Sequence, residues 1–194
     1  MLIVPVIVLV VLVIYVVGVY NGLQTIRTRI RASIQEIGNQ LKRQAELIPN
    51  LVESAKSYLK HEKDIFAKLT EARKTIEAAV KSGATQKMID AQETVQRVLG
   101  SLRVVVESNP QLQAAGVVSD LMNELRDTAD KVMYARRTLI DLTADFNRIL
   151  VTIPSSFIAK MFGFKPEEGL KVAETGEHLE VSKEEMKTPK VKLE

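Results

Sequence analysis

Residues 45–53 read Ala-Glu-Leu-Ile-Pro-Asn-Leu-Val-Glu, and the way the chain passes through them decides how many helices it makes. Upstream, Ile26, Ile30, Ile34, Ile37, Leu41, Ala45 and Ile48 recur in steps of three and four, the single apolar stripe of an amphipathic helix. Pro49 has no backbone amide to donate and disfavours helical geometry at Ile48. Asn50, with Glu53 three residues on, has the spacing of a capping box. The pattern predicts a tight reversal at Ile48-Pro49-Asn50, with a kink in one long helix as the alternative.

Working back from this stretch, the chain becomes basic and then wholly apolar. Leu23 to Ile48 carries Arg27, Arg29, Arg31, Lys42 and Arg43 against Glu36 and Glu46. Met1 to Tyr20 contains no charged side chain, and a run of about 20 apolar residues is what a helix needs to cross roughly 30 Å of hydrocarbon. No Lys or Arg precedes the run, it is long for a signal peptide, and Val-Gly-Val-Tyr-Asn-Gly is a poor cleavage site, so a retained transmembrane anchor is expected. Arg27, Arg29 and Arg31 on its C-terminal flank place the N-terminus outside and the body in the cytoplasm by the positive-inside rule. Gly18 and Gly22 have the GxxxG spacing that lets two helices approach. The spacing is common by chance, and the preferred reading is that Gly22 with Asn21 loosens the junction between anchor and body.

Working forward, a second stripe runs through Leu51, Ala55, Leu59, Phe66, Leu69, Ala72, Ile76 and Val80 to Ser82-Gly83, where glycine suits a left-handed helix end. Thr85 is placed to cap a third helix with Met88, Ala91, Val95, Val98, Leu102 and Val105. Ser108-Asn109-Pro110 breaks the chain again, and residues 111–116 connect. The fourth stripe, Val118, Leu121, Leu125, Ala129, Val132, Ala135, Leu139, Leu142, Phe146, Ile149 and Ile153, is the cleanest, a bundle seam of about five heptads. Pro154 ends it.

None of these stripes can be buried alone, so the expected fold is all-α. It comprises an N-terminal transmembrane helix (residues 1–22), an antiparallel four-helix bundle (23–164) and a flexible charged tail (165–194). With four helices the chain returns to the membrane. There it carries Phe157, Ile158, Met161, Phe162 and Phe164, a segment expected to dock at the membrane interface or to cap the bundle's near end. The equal alternative is an ordinary short amphipathic helix packed on the bundle.

Composition excludes several chemistries. With no cysteine there are no disulfides, thiolate metal sites or thiol nucleophiles. His61 and His178 are the two histidines, and His61-Glu62 is not followed by a histidine at metalloprotease spacing. No phosphate-binding glycine loop or serine-hydrolase elbow occurs, and Glu184-Glu185 sits in the tail, where nothing fixes its separation. Neither enzyme activity nor a cofactor is expected. The net charge of +3 is modest, and the basic residues cluster beside the anchor, where they meet anionic lipid, so nucleic acid is not an expected partner. Pro49, Asn50, Glu53, Arg73, Tyr134, Arg136 and Asn147 form the candidate turn and polar set. They either meet a partner or, the preferred reading, cap the turn and satisfy one another between helices.

Several strings occur together in order: Gln40-Leu41-Lys42-Arg43-Gln44-Ala45-Glu46-Leu47 leading into Ile48-Pro49-Asn50-Leu51-Val52-Glu53, then Tyr58, His61-Glu62-Lys63, Leu69-Thr70-Glu71-Ala72-Arg73, Tyr134-Ala135-Arg136-Arg137, Ile153-Pro154-Ser155-Ser156-Phe157-Ile158-Ala159 and Phe162-Gly163-Phe164. Over roughly residues 1 to 165 the chain resembles the LemA family of bacterial and archaeal membrane proteins, which includes MamQ-like proteins of magnetosome membranes. The resemblance implies a single span, a short outward terminus and a four-helix bundle, with no activity assigned to the motifs. Family members often sit beside membrane-protease genes. Phe146 departs from the tyrosine usual before the asparagine, and the segment after Phe164 is expected to lie outside the family match. The function expected is that of a non-enzymatic membrane scaffold, a homo-oligomer or the holder of a membrane partner. The alternatives are a sensory bundle or an accessory factor of a membrane protease.

Overall fold

The computed structural model describes residues 3–59 and 62–170. Among them are six helices and no strand: α1 (Ile3–Lys56), α2 (Lys63–Ser82), α3 (Thr85–Ser108), α4 (Pro110–Gln113), α5 (Gly116–Val151) and α6 (Ser155–Met161). The expected reversal at Pro49 is corrected, because α1 continues through it as one helix of 54 residues. The physical reason is the phase of the apolar stripe. Leu41, Ala45, Ile48, Leu51 and Ala55 are all buried on one face, and the steps of three and four pass Pro49 without a break. A proline in a helix interior costs about 3 kcal/mol. Fully burying a Leu or Ile side chain contributes roughly 1.5–3 kcal/mol, so Ile48 and Leu51 together offset the loss.

The chain turns later, after Lys56. The amides of Tyr58 and Leu59 both donate to the carbonyl of Ala55 at 3.0 Å, and Leu59 is buried at the turn. Asn50 therefore caps nothing. It is an exposed residue in the helix interior, like Glu53. At the next break Gly83 has φ 66°, the left-handed end expected of it. Ala84, not Thr85, stands at the N-cap of α3. Asn109 accepts hydrogen bonds from the amides of Gln111 and Leu112 at 3.2 and 3.3 Å, and Pro110 opens α4.

The late turn shapes the molecule. α5 returns antiparallel along α1, its most extensive partner, while α2 packs on α1 and α3. At about 1.5 Å per residue α2 and α3 are roughly 30 and 36 Å long, against about 54 Å for α5. The α2–α3 hairpin reaches down α1 to at least the level of Gly38, where a side-chain carbon would lie 3.6 Å from Met88 Sδ. Beyond that level, toward the anchor, α1 and α5 continue as a pair. Leu23, Ile30 and Ile37 on α1, and Leu139, Leu142, Phe146 and Leu150 on α5, are buried there. The body thus has a head, where the α2–α3 hairpin packs on α1 and α5, far from the apolar N-terminal segment, and a stalk of α1 and α5 beside that segment.

Candidate functional site at the anchor end

The stalk is closed by the segment C-terminal to α5. The amide of Thr152 still bonds to Arg148 at 3.0 Å, after which α6 turns across the base of α1 and α5. Ser155 Oγ donates to the carbonyls of Ile149 and Thr152, both at 2.8 Å, tying the start of α6 to the end of α5. Phe164 then brings the chain back up the stalk. Its ring lies 5.8 Å from Tyr20 and 6.2 Å from Phe146, and Phe162 lies 4.9 Å from Tyr20. Such tilted ring pairs add about 0.5–1.5 kcal/mol to their burial.

Above this aromatic cluster, Asn147 and Glu167 form a reciprocal pair. Asn147 Nδ2 donates to the Glu167 carbonyl at 2.9 Å, and the Glu167 amide donates to Asn147 Oδ1 at 3.0 Å. The Glu167 carboxylate lies 3.3 Å from Arg27, and Leu170 packs on the core. Residues 165–170, expected in a flexible tail, are therefore a strap laid along the stalk. Sequence patterning does not reveal Glu167, because its partners lie far away along the chain. Residues 171–194, including His178 and Glu184-Glu185, lie outside the described residues, as does His61.

The other expected site residues separate. Gly18 and Gly22 lie within unbroken α1, so they do not loosen the junction. With Tyr15, Val19, Leu23, Ile149 and Ser155 they line an apolar niche of about 420 Å³, and neither glycine has a neighbour close enough to meet an added side chain. Arg29 and Arg31 are exposed, whereas Arg27 is half-buried against the strap. Arg73 pairs along its own helix with Glu77 at 2.9 Å, Arg136 reaches Glu93 on α3 at 3.1 Å, and Tyr134 is exposed. The expected mutual network is corrected: Arg73, Arg136 and Asn147 each bond to a partner outside the set, Glu77, Glu93 and Glu167 respectively. A bond not foreseen joins α1 to α5, where Arg43 Nε donates to Glu124 at 3.1 Å. That hydrogen bond and the Glu124 charge raise the guanidinium pKa further, against the small opposing effect of desolvation.

Among the described residues no group of three or more His, Asp or Glu side chains converges to hold a metal. The core does contain amides. Gln44 is fully buried with neither amide atom hydrogen-bonded, and Gln92 Oε1 is buried without a partner. A cleft of about 380 Å³ between α3 and α5 is lined by Arg103, Arg126, Leu99, Leu112 and Met122.

One helix among the described residues is long and apolar enough to cross a membrane, and its apolar N-terminal stretch has no residue buried against the body. This defines an all-α protein whose long N-terminal helix begins with an unpacked apolar segment and continues into a helical body braced at its base. The chain belongs to the LemA family, whose profile matches residues 33–191. That match runs well past Phe164, correcting the expectation that the family resemblance ends there. The chain is also similar to the magnetosome protein MamQ of Magnetospirillum gryphiswaldense, at 24% identity over 172 residues. The match covers 77% of this chain and 63% of that protein, so less than two thirds of the relative is represented.

Proposed function

We propose that this protein is a membrane-anchored, non-enzymatic scaffold that self-associates beside its span, with an antiparallel bundle of α1, α2, α3 and α5 held in the cytoplasm and the N-terminus outside. The observation that carries the reading is α1 itself. One helix runs from the apolar segment through the stalk to the head, so a contact made in the membrane is coupled to the body without a flexible joint. Gly18 and Gly22 on that helix border an apolar niche, and small residues four apart let a second helix approach closely. Similarity to a magnetosome protein fits a membrane-associated role. Membrane lipid and a further membrane protein are the partners proposed. Nucleic acid and a cofactor have no place in the reading.

The test is native mass spectrometry of the full chain released from lipid nanodiscs. An oligomer is expected, and Gly18→Leu with Gly22→Leu should shift it to monomer while helicity is unchanged. A wild-type chain that is monomeric at every concentration contradicts self-association. The α3–α5 cleft favours a second reading, a sensory bundle in which a ligand between these helices shifts α1 through its contact with α5. Saturable ligand protection of α3 and α5 amides from exchange would support it.

A further inference from the structure

We infer that α6 is an interfacial foot: one side of it closes the stalk, and the other lies in the headgroup region of the bilayer beside the span. The inference rests on reading residues 3–20 as a span. The height of α6 is set by its neighbours. Ser155 shares a niche with Tyr15, Gly18 and Gly22, and Phe162 meets Tyr20. These α1 positions are the last turns of the apolar run, so α6 sits at the level where the span leaves the hydrocarbon.

The faces of α6 are divided accordingly. Ser155, Ser156, Ile158 and Ala159 are buried. Phe157 and Met161, four apart and so on one side of the helix, are 67% and 66% exposed. Val151, Ile153 and Phe162 are exposed beside them. Of the eleven large hydrophobics exposed beyond Val17 among the described residues, these five fall within residues 151–162. Scattered exposed apolar residues are ordinary, but a cluster at one end marks a contact surface. Lys160 stands exposed between Phe157 and Met161, where its stem can lie along lipid while its ammonium reaches phosphate. The bilayer is the occupant argued for because the patch adjoins the span.

The native chain has no cysteine, so single cysteines report without background. Full-length protein is placed in vesicles of phosphatidylcholine and phosphatidylglycerol with an environment-sensitive fluorophore at Phe157→Cys, Met161→Cys, Ile7→Cys or Val117→Cys. Probes at 157 and 161 should shift to the blue and lose intensity to lipids brominated near the headgroup, while the probe at 117 does neither. The probe at 7 should be quenched by deeply brominated lipids, which checks the span separately. Quenching at 7 with none at 157 and 161 overturns the foot and leaves the span standing. Disulfide crosslinking through Phe157→Cys between copies, without lipid quenching, overturns it in favour of a contact between chains. The double variant Phe157→Gln/Met161→Gln should keep its helicity, both residues being exposed, and should lose the blue shift of a probe at Ile153→Cys. An unchanged shift also counts against the foot.

Discussion

The head and the stalk are built from the same two long helices but held in different ways. In the head α1 and α5 are enclosed by the α2–α3 hairpin, and Leu41, Leu51, Leu112 and Leu125 are fully buried. In the stalk the two helices have only each other, α6 and the strap 164–170. There Phe146 packs edge-on against Phe164, and the strap is held by two hydrogen bonds with Asn147, the Arg27–Glu167 ion pair and the packing of Leu170. Stability in a fold is not uniform, and regions with fewer packed neighbours open first. The comparison teaches that the part nearest the apolar N-terminal segment is the part whose order rests on a few tertiary contacts.

The largest effect should come from Phe146→Ala. Truncating a buried phenylalanine costs about 3–5 kcal/mol, and here the loss should fall on the stalk. Hydrogen exchange of the full chain in nanodiscs is expected to speed up in residues 139–150 and 164–170 while the head around Leu125 stays protected. Leu125→Ala, at a site with no exposure, should cost about 2–5 kcal/mol and weaken protection in all four long helices. Equal, uniform loss from both variants would break the distinction between the two regions.

Much of this division is legible in the sequence, and its key dimension is not. The α5 stripe from Val118 to Leu150, the glycine stop at Gly83 and the break at Asn109-Pro110 are set by local chemistry and can be read directly. The length of α1 is hard to read because Pro49 is a strong local signal, whereas the continuing phase of Ile48, Leu51 and Ala55 is a signal spread over three turns. The chain turns only after Lys56, where the amides of Tyr58 and Leu59 bond back to Ala55. Glu167 is illegible for another reason: its hydrogen bonds to Asn147 are a tertiary fact with no local pattern behind it.

Gln44 sharpens the comparison from the opposite direction. Its amide is buried in the head without a hydrogen bond, and such a group costs roughly 1–3 kcal/mol. Gln44→Met should therefore stabilise the head by about 1–2 kcal/mol, read as a higher denaturant midpoint with no change in slope. Destabilisation would mean that the amide is satisfied in solution. A smaller effect is expected from Gly83→Ala. An alanine at φ 66° costs about 1 kcal/mol, confined to the α2–α3 hairpin and leaving exchange in the stalk unchanged.

The central claim is that α1 is a single helix from the apolar N-terminal segment to the far end of the head. It is tested most directly by the distance between spin labels at Thr28→Cys and Lys56→Cys, both exposed, in the full chain in nanodiscs. An unbroken helix separates them by about 42 Å. A reversal at Pro49 would bring them to about 20 Å, and a distribution centred there would contradict the account.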